Sequence, residues 1–505
     1  MPPGPIRRDN LISTNDVTER DPMKKPNFIL IMADQMRGDC VEAEGTNNVI
    51  QTPALNHLAS KGARFNHAYS AVPSCLPARA TLMTGQSQWH TGVLGMGKGQ
   101  GHIPNDFPHT LAGEFTKAGY RTHLVGKGHF NPARTSMGFE SAELDESGRL
   151  PDSEHRKWFA EHAPESVSPD DHGVGFNSWQ ARPWHTEERL HPTAWTMARS
   201  LEFLKSRDAE RPFLLNISFA RPHSPYVPPE HYFNYYFNRQ TPAPHVGDWA
   251  SAHDVPEDAA NLDAWHGRMT AMQIHRARSG YYGEISFIDQ QICRLIHWMA
   301  RSDGDALRDT WFIFTSDHGD MQGDHNLWRK TYAYEGSTRI PFIICPPGNS
   351  TGFARRTPDE VVELRDIMPT MLDAAGIAIP ATVDGKSLLP LMREPASGWR
   401  TYIHGEHCAC YSDTNEMQFV TDGRRKYIWY PRTGEKQFFD LERDPGECRN
   451  LINEKERQEE RIQWENRLTE ELSQRNCGWV KDGKPFCLPD EPLVSPYRNV
   501  RRQTP

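Results

Sequence analysis

A chain of 505 residues with 57 Lys and Arg against 66 Asp and Glu carries a net charge of −9, with the two signs interspersed, so it lacks the basic stripe that marks a nucleic-acid partner. Its longest apolar runs, Phe28 to Ala33 and Ile340 to Cys345, fall far short of the ~20 residues that cross a bilayer, and no helical membrane span is expected. Nine cysteines are too sparse for a disulfide scaffold and their odd number leaves at least one unpaired; at roughly 150 residues per domain the length admits two to four domains.

Residues 1–26 contain Arg7, Arg8, Asp9, Glu19, Arg20 and Asp21 but no apolar h-region, so they read as a flexible leader rather than a secretory signal. That points to the cytoplasm, or to the periplasm or the exterior if a signal has been removed. Asn27 to Ala33 reads as a strand ending at Asp34, and Thr52 to Lys61 as a helix stopped by Gly62. A second helix runs from Thr110 to Ala118, ended by Gly119, and Tyr120 to Gly126 is the strand after it. Arg211 to Phe219 and Thr310 to Ser316 are continuous apolar runs that suit a sheet covered on both faces. The expected fold over 27–375 is therefore α/β, a large mainly parallel sheet flanked by helices.

Pro, Gly and Ser between Ile377 and Arg400 mark a linker at 376–400. Beyond it, Phe419 to Asp422, Lys426 to Tyr430 and Lys436 to Leu441 read as antiparallel strands, followed by a charged helix from Glu454 to Gln474. These define a smaller α+β subdomain at 401–476. The tail, 477–505, lacks periodicity and is expected to wrap back over the main domain. Cys408 and Cys410, and Cys477 and Cys487, are spaced for a zinc pair or a disulfide, and are read as structural or incidental.

Asp34, Lys127, His223 and Asp317 each follow a predicted strand, where side chains of a parallel sheet converge on one crevice. Ser74-Cys75-Leu76-Pro77-Ala78-Arg79 has Pro73 and Pro77 restricting a turn, and Ala80 to Met83 suggest a helix whose N-terminus faces an anion. Asp34-Gln35 and Asp317-His318-Gly319-Asp320 stand at the ends of two of those strands. Carboxylate and amide oxygens suit calcium, while His318 suits softer metals such as manganese. The stretch from Trp179 to His191 is rich in Trp, His and Arg; Arg182, Trp184 and His185 suit a carboxylated sugar, although Trp184 and Leu190 suit packing equally well. His90 is a further pocket candidate.

The Cys-x-Pro-x-Arg of Cys75 to Arg79 resembles the type I sulfatase signature of the alkaline phosphatase superfamily. The resemblance runs from Asn27 to Leu451 with the blocks in the family's order, through Gly126-Lys127-Gly128-His129, Arg221-Pro222-His223 and Trp328-Arg329-Lys330 to a C-terminal Phe439-Asp440-Leu441 segment. It implies an alkaline-phosphatase-like fold. It also implies that Cys75 is oxidised to Cα-formylglycine by a formylglycine-generating or anaerobic sulfatase-maturating enzyme, with Asp34, Gln35, Asp317, His318 and residue 75 around the metal. Arg79 would orient the nucleophile, Lys127 and His129 would serve the oxyanion and the release of sulfate, and His223 and Lys330 would serve the leaving alcohol. Gln35 departs from the aspartate often found after Asp34. Glu335 and Arg339 read as a structural ion pair. The implied reaction is hydrolysis of a sulfate ester, with a glycosaminoglycan-derived saccharide as the expected substrate. Alternatives are a choline or aryl sulfatase, a phosphonate monoester hydrolase or phosphodiesterase of the same superfamily, and a non-catalytic sulfoglycan-binding protein.

Overall fold

The computed structural model describes residues 25–497 except 46, 97–105, 256–260, 354, 476 and 489–492. The expected leader lies outside them apart from its last two positions, as does the end of the tail. The central sheet has seven strands: β1 (Asn27–Asp34), β2 (Ala63–Arg64), β4 (Arg121–Gly126), β5 (Ser141–Leu144), β6 (Phe213–Pro222), β7 (Thr310–Ser316) and β8 (Phe342–Cys345), while β3 (Ala68–Tyr69) pairs separately with β9 (Val362–Glu363). Their order across the sheet is β2-β8-β7-β1-β6-β4-β5. β1 pairs in parallel with β6 and β7, and β6 with β4; β8 alone runs the other way, antiparallel to β7 and β2.

The continuous apolar run of β1 is explained by its two faces. Phe28, Leu30 and Met32 enter one core cluster, together with Leu82, Leu111, Phe115 and Met371. Ile29, Ile31 and Ala33 enter the other, against Tyr281, Ile285, Ile288 and Ile292 of the long helix Ala271–Ser302. Both faces are covered, so every position from Phe28 to Ala33 is apolar. Each such side chain contributes about 1.5–3 kcal/mol on full burial.

The helices stand where the sequence places their ends. Thr52 and Gly62 flank Pro53–Lys61, and the Thr110 hydroxyl accepts from the Gly113 amide to cap Leu111–Lys117. Gly119 has φ +90°, a conformation that favours glycine.

Residues 376–400 depart from the expected linker. Leu388, Leu389, Leu391 and Met392, around a short helix Leu389–Arg393, are buried in the same core cluster as β1. Their apolar spacing outweighs the Pro, Gly and Ser content that suggested a loose connection.

The C-terminal sheet has the order β10 (Ile403–His407), β11 (Met417–Thr421), β12 (Arg425–Trp429) and β13 (Lys436–Asp440), all antiparallel. β10 has no apolar alternation to announce it, because His404, Gly405, Glu406 and His407 are buried through polar contacts. Helix Gln458–Ser473 packs Trp464, Leu468 and Leu472 on this sheet, and Trp479 and Leu493 of the tail join them. The Ser495 hydroxyl donates to the Trp89 carbonyl at 2.6 Å, which ties the tail back to the main domain. All nine cysteines are free thiols, so Cys477 and Cys487 form no disulfide. No helix among the described residues is long and apolar enough to cross a membrane.

Candidate active site

Four adjacent strands, β7, β1, β6 and β4, deliver Asp317, Asp34, His223 and Lys127 at or just beyond their carboxyl ends. Cys75 is brought to them as the first residue of helix Cys75–Thr84, which is buried almost throughout. Its N-cap Ser74 has its hydroxyl 2.7 Å from His407 Nε2 of β10, so the C-terminal sheet braces the start of this helix.

Cys75 Sγ lies 3.0 Å from His318 Nε2, 3.6 Å from Asp34 Oδ1 and 3.7 Å from Lys127 Nζ. Arg79, one helical turn on, is fully enclosed. Its Nε donates to Asp317 Oδ2 at 2.8 Å, and its Nη1 to the Lys127 carbonyl at 2.6 Å and Ser218 Oγ at 2.9 Å. Lys127 pairs with Asp34. Burial would raise the Asp34 carboxyl, but Lys127, His223, Arg79 and His318 outweigh it and hold it well below the usual carboxylate range. Burial and Asp34 push the Cys75 thiol up; Lys127, Lys330 and His318 together reverse this and leave it below its ordinary value.

Ligand atoms of Asp34, Cys75, Asp317 and His318 all lie within 4.8 Å of one another, and all four residues are buried. His318 Nδ1 is 2.8 Å from the Gly319 carbonyl, which leaves Nε2 to face the group, the orientation a ligating histidine requires. Two carboxylates and an imidazole so arranged fit a divalent cation. Gln35 has φ +72° and sits beside them. Its amide oxygen accepts from Lys330 Nζ at 2.6 Å and its amide nitrogen donates to Asp320, so both ends of the amide are engaged by side chains.

Lys330 Nζ also lies 2.6 Å from His223 Nε2. His129 has φ +51°, its backbone N–H donates to Glu146, and its Nδ1 is buried without a partner. Burial, then Arg149 and Lys127, push this imidazole well below 6.5.

The other expected site residues have partners of their own. Trp184 is buried against Phe159, Val174, Leu190 and Val227, with its indole N–H on the Glu187 carbonyl. His185 Nε2 is 2.9 Å from the Ser168 carbonyl, and Arg182 Nη1 donates to the His172 carbonyl. The packing alternative for this stretch therefore accounts for Trp184. His90 pairs with Asp384 at 2.7 Å and lines a separate cavity of about 620 Å³ with Trp399, Tyr402 and Tyr497. Glu335 and Arg339 do approach, at 3.8 Å, but Lys426 is the closer partner of Glu335 at 2.8 Å.

Sequence reading missed Tyr226, whose hydroxyl donates to Asp320 and accepts from Gln322, as well as Ser218 and His407. No local signal marks them, because each acts across 94 to 333 residues of sequence.

A family model described as Sulfatase matches residues 26–377, and one described as N-sulphoglucosamine sulphohydrolase, C-terminal, matches 323–475. An arylsulfatase of Clostridium perfringens is 43% identical over 91% of this chain and 97% of its own length. A choline-sulfatase of Rhizobium meliloti is 31% identical over 85% of this chain and 82% of its own. The solved phosphonate monoester hydrolase of Agrobacterium radiobacter superposes with a TM-score of 0.73 at 26% identity, covering 92% of this chain and all of that one. The chain belongs to the sulfatase family, within the alkaline phosphatase superfamily. It is an enzyme of the sulfuric ester hydrolase class.

Proposed function

We propose that this enzyme hydrolyses an organic sulfate ester by S–O cleavage with residue 75 as formylglycine, and that a sulfated carbohydrate is its substrate class. The observation that carries the mechanism is the position of Cys75, at the start of a buried helix between His318, Asp34 and Lys127. Asp34, Asp317, His318 and residue 75 would hold one divalent cation, calcium in our reading. Bound there, the cation would polarise the sulfuryl oxygens, and the hydrated aldehyde would offer one hydroxyl to attack sulfur and a second whose deprotonation expels sulfate.

The chain's own side chains do the rest. Arg79 fixes both Asp317 and the Lys127 carbonyl, so the Lys127 ammonium is held where charge develops on the sulfuryl group. The Lys330 and His223 pair supplies the proton to the departing alcohol, a poor leaving group without it. His129, kept neutral by burial and by the cations around it, accepts the proton when sulfate leaves. Conversion of Cys75 calls for a formylglycine-generating or anaerobic sulfatase-maturating enzyme in the host.

The test is release of inorganic sulfate from sulfated mono- and disaccharides, choline sulfate and aryl sulfates, by protein whose residue 75 is shown by peptide mass to be formylglycine, about 18 Da lighter than cysteine. Sulfate release that Cys75→Ala abolishes is the expected result. Turnover confined to phosphonate or phosphate diesters would move the enzyme to the phosphoryl branch, and activity retained in Cys75→Ala would sink the nucleophile assignment.

A further inference from the structure

The cations nearest residue 75 each have a partner: Arg79 with Asp317, Lys127 with Asp34, and Lys330 with Gln35 and His223. Arg329, next to Lys330, has none. Among the described residues its guanidinium makes no hydrogen bond or ion pair, and its Nε is shut away from solvent without an acceptor. The acid on its own backbone is already occupied: Asp320 Oδ1 accepts the Arg329 and Gln322 amides, and Oδ2 accepts from Gln35 and Tyr226.

Backbone geometry holds the side chain in place. Arg329 and Thr331 have φ of +69° and +78° on either side of Lys330, a conformation that non-glycine residues seldom adopt unless surrounding contacts enforce it. The Arg329 guanidinium lies over the Tyr411 ring, 5.5 Å from its centroid. Trp265 stacks on the same tyrosine at 5.7 Å and 16°. The preceding Cys410 thiol, pushed up to about 11 chiefly by burial, feels the charges of Lys330, Arg329 and Cys75.

A guanidinium with no carboxylate, resting on an aromatic pair and one residue from the leaving-group lysine, is suited to an anion on the substrate, because its planar fork matches carboxylate or sulfate oxygens. The aromatic faces suit a ring. We propose that Arg329, with Tyr411 and Trp265 as the platform, binds a second anionic group of the substrate, so that the preferred ester is a dianion: a sulfated ring that also bears a carboxylate or a second sulfate. This rests on the sulfatase reading above and narrows it.

The experiment compares a sulfated hexose with the matching sulfated hexuronate and with a disulfated hexose, in wild type, Arg329→Ala and Arg329→Lys. Wild type should favour one or both dianions in kcat/KM on the order of ten- to a hundredfold, the range of a charge-assisted hydrogen-bonded pair. Arg329→Ala should erase that preference, chiefly through KM, and Arg329→Lys should restore part of it. The hexuronate and disulfate arms show which anion is read. Calorimetric binding of the same esters to Cys75→Ala and to Cys75→Ala/Arg329→Ala measures the preference without turnover. Failure of the sulfatase reading would show as no sulfate release with the Arg329-dependent binding preference intact. Equal binding and turnover of all three esters in wild type, or an equal loss for all three in Arg329→Ala, would overturn the proposal.

Discussion

Lys330 Nζ lies 2.6 Å from His223 Nε2, while His223 Nδ1 lies 2.8 Å from the Ser224 carbonyl. The ring therefore donates from Nδ1 and turns its lone pair toward the ammonium. Burial, then Lys330 and Lys127, push this imidazole well below 6.5, so His223 is held neutral in the free enzyme. Lys330→Met should let His223 titrate at higher pH, read from its ring proton by NMR, and lower kcat on the order of 10²–10⁴-fold. A wild-type His223 titrating at its ordinary value would contradict the pairing.

Stability should fall on acidification through the protonation of buried histidines. His172, His253, His325 and His407 are brought down to about 4 chiefly by burial. Between about pH 6.5 and 4 the unfolded chain binds protons at these positions and the native state does not, so their contribution is present above 6.5 and lost as pH falls toward 4. Asp289 and Glu447, raised to about 7 by burial, act in the opposite sense. With more histidines than acids displaced, the thermal midpoint should drop across this window; a flat profile would contradict it.

Arg79→Ala would leave Asp317 and Asp34 facing each other without the guanidinium that separates them. Breaking a buried pair by removing one partner costs roughly 3–5 kcal/mol. Denaturant unfolding should show a loss of that size together with loss of activity. A loss under about 1 kcal/mol would mean that the pair contributes little to the fold.

Calcium or manganese should raise the melting temperature, since a ligand bound only by the native state stabilises it, by about 2.7 kcal/mol at a hundredfold excess over Kd. Asp317→Asn should remove most of that increase. Chelation should reverse it in wild type. Because melting is the readout, the test needs no turnover. An identical metal response in Asp317→Asn would place the ion elsewhere.

Lys426, buried in β12, pairs at 2.8 Å with both Glu335 of the main domain and Glu447 of the C-terminal segment. Lys426→Met takes the cation from the buried Glu447 and the half-buried Glu335 and should cost about 3–5 kcal/mol. Limited proteolysis should show the C-terminal sheet released earlier than in wild type. Unchanged protection would show that the two units are held by apolar contacts alone.

Two kinds of feature were legible without coordinates. The strands of the main sheet stand out as apolar runs because both faces are buried, as β1 shows with its two core clusters. The residues that end those strands, Asp34, Lys127, His223 and Asp317, could be named because a parallel sheet gathers them at one edge. Gly119, with φ +90°, and Thr110, whose hydroxyl caps its helix, marked helix ends for local reasons, while Gly62 stops its helix where the Ile344 carbonyl leaves no room for a Cβ.

What the chain could not announce depends on contacts between distant segments. β10 is polar in sequence and buried in the fold, because His404, Glu406 and His407 find partners in Gln418, Arg475 and Ser74. Trp184, chemically suited to a sugar, is committed to a core that only packing defines. Arg329 is one more basic residue in sequence; that it lies over Tyr411 with no carboxylate partner among the described residues follows from a turn that sends it and Lys330 to different neighbours. Local propensity and periodicity are written residue by residue, whereas burial, pairing and the field at a charged group are sums over neighbours that only the folded chain brings together.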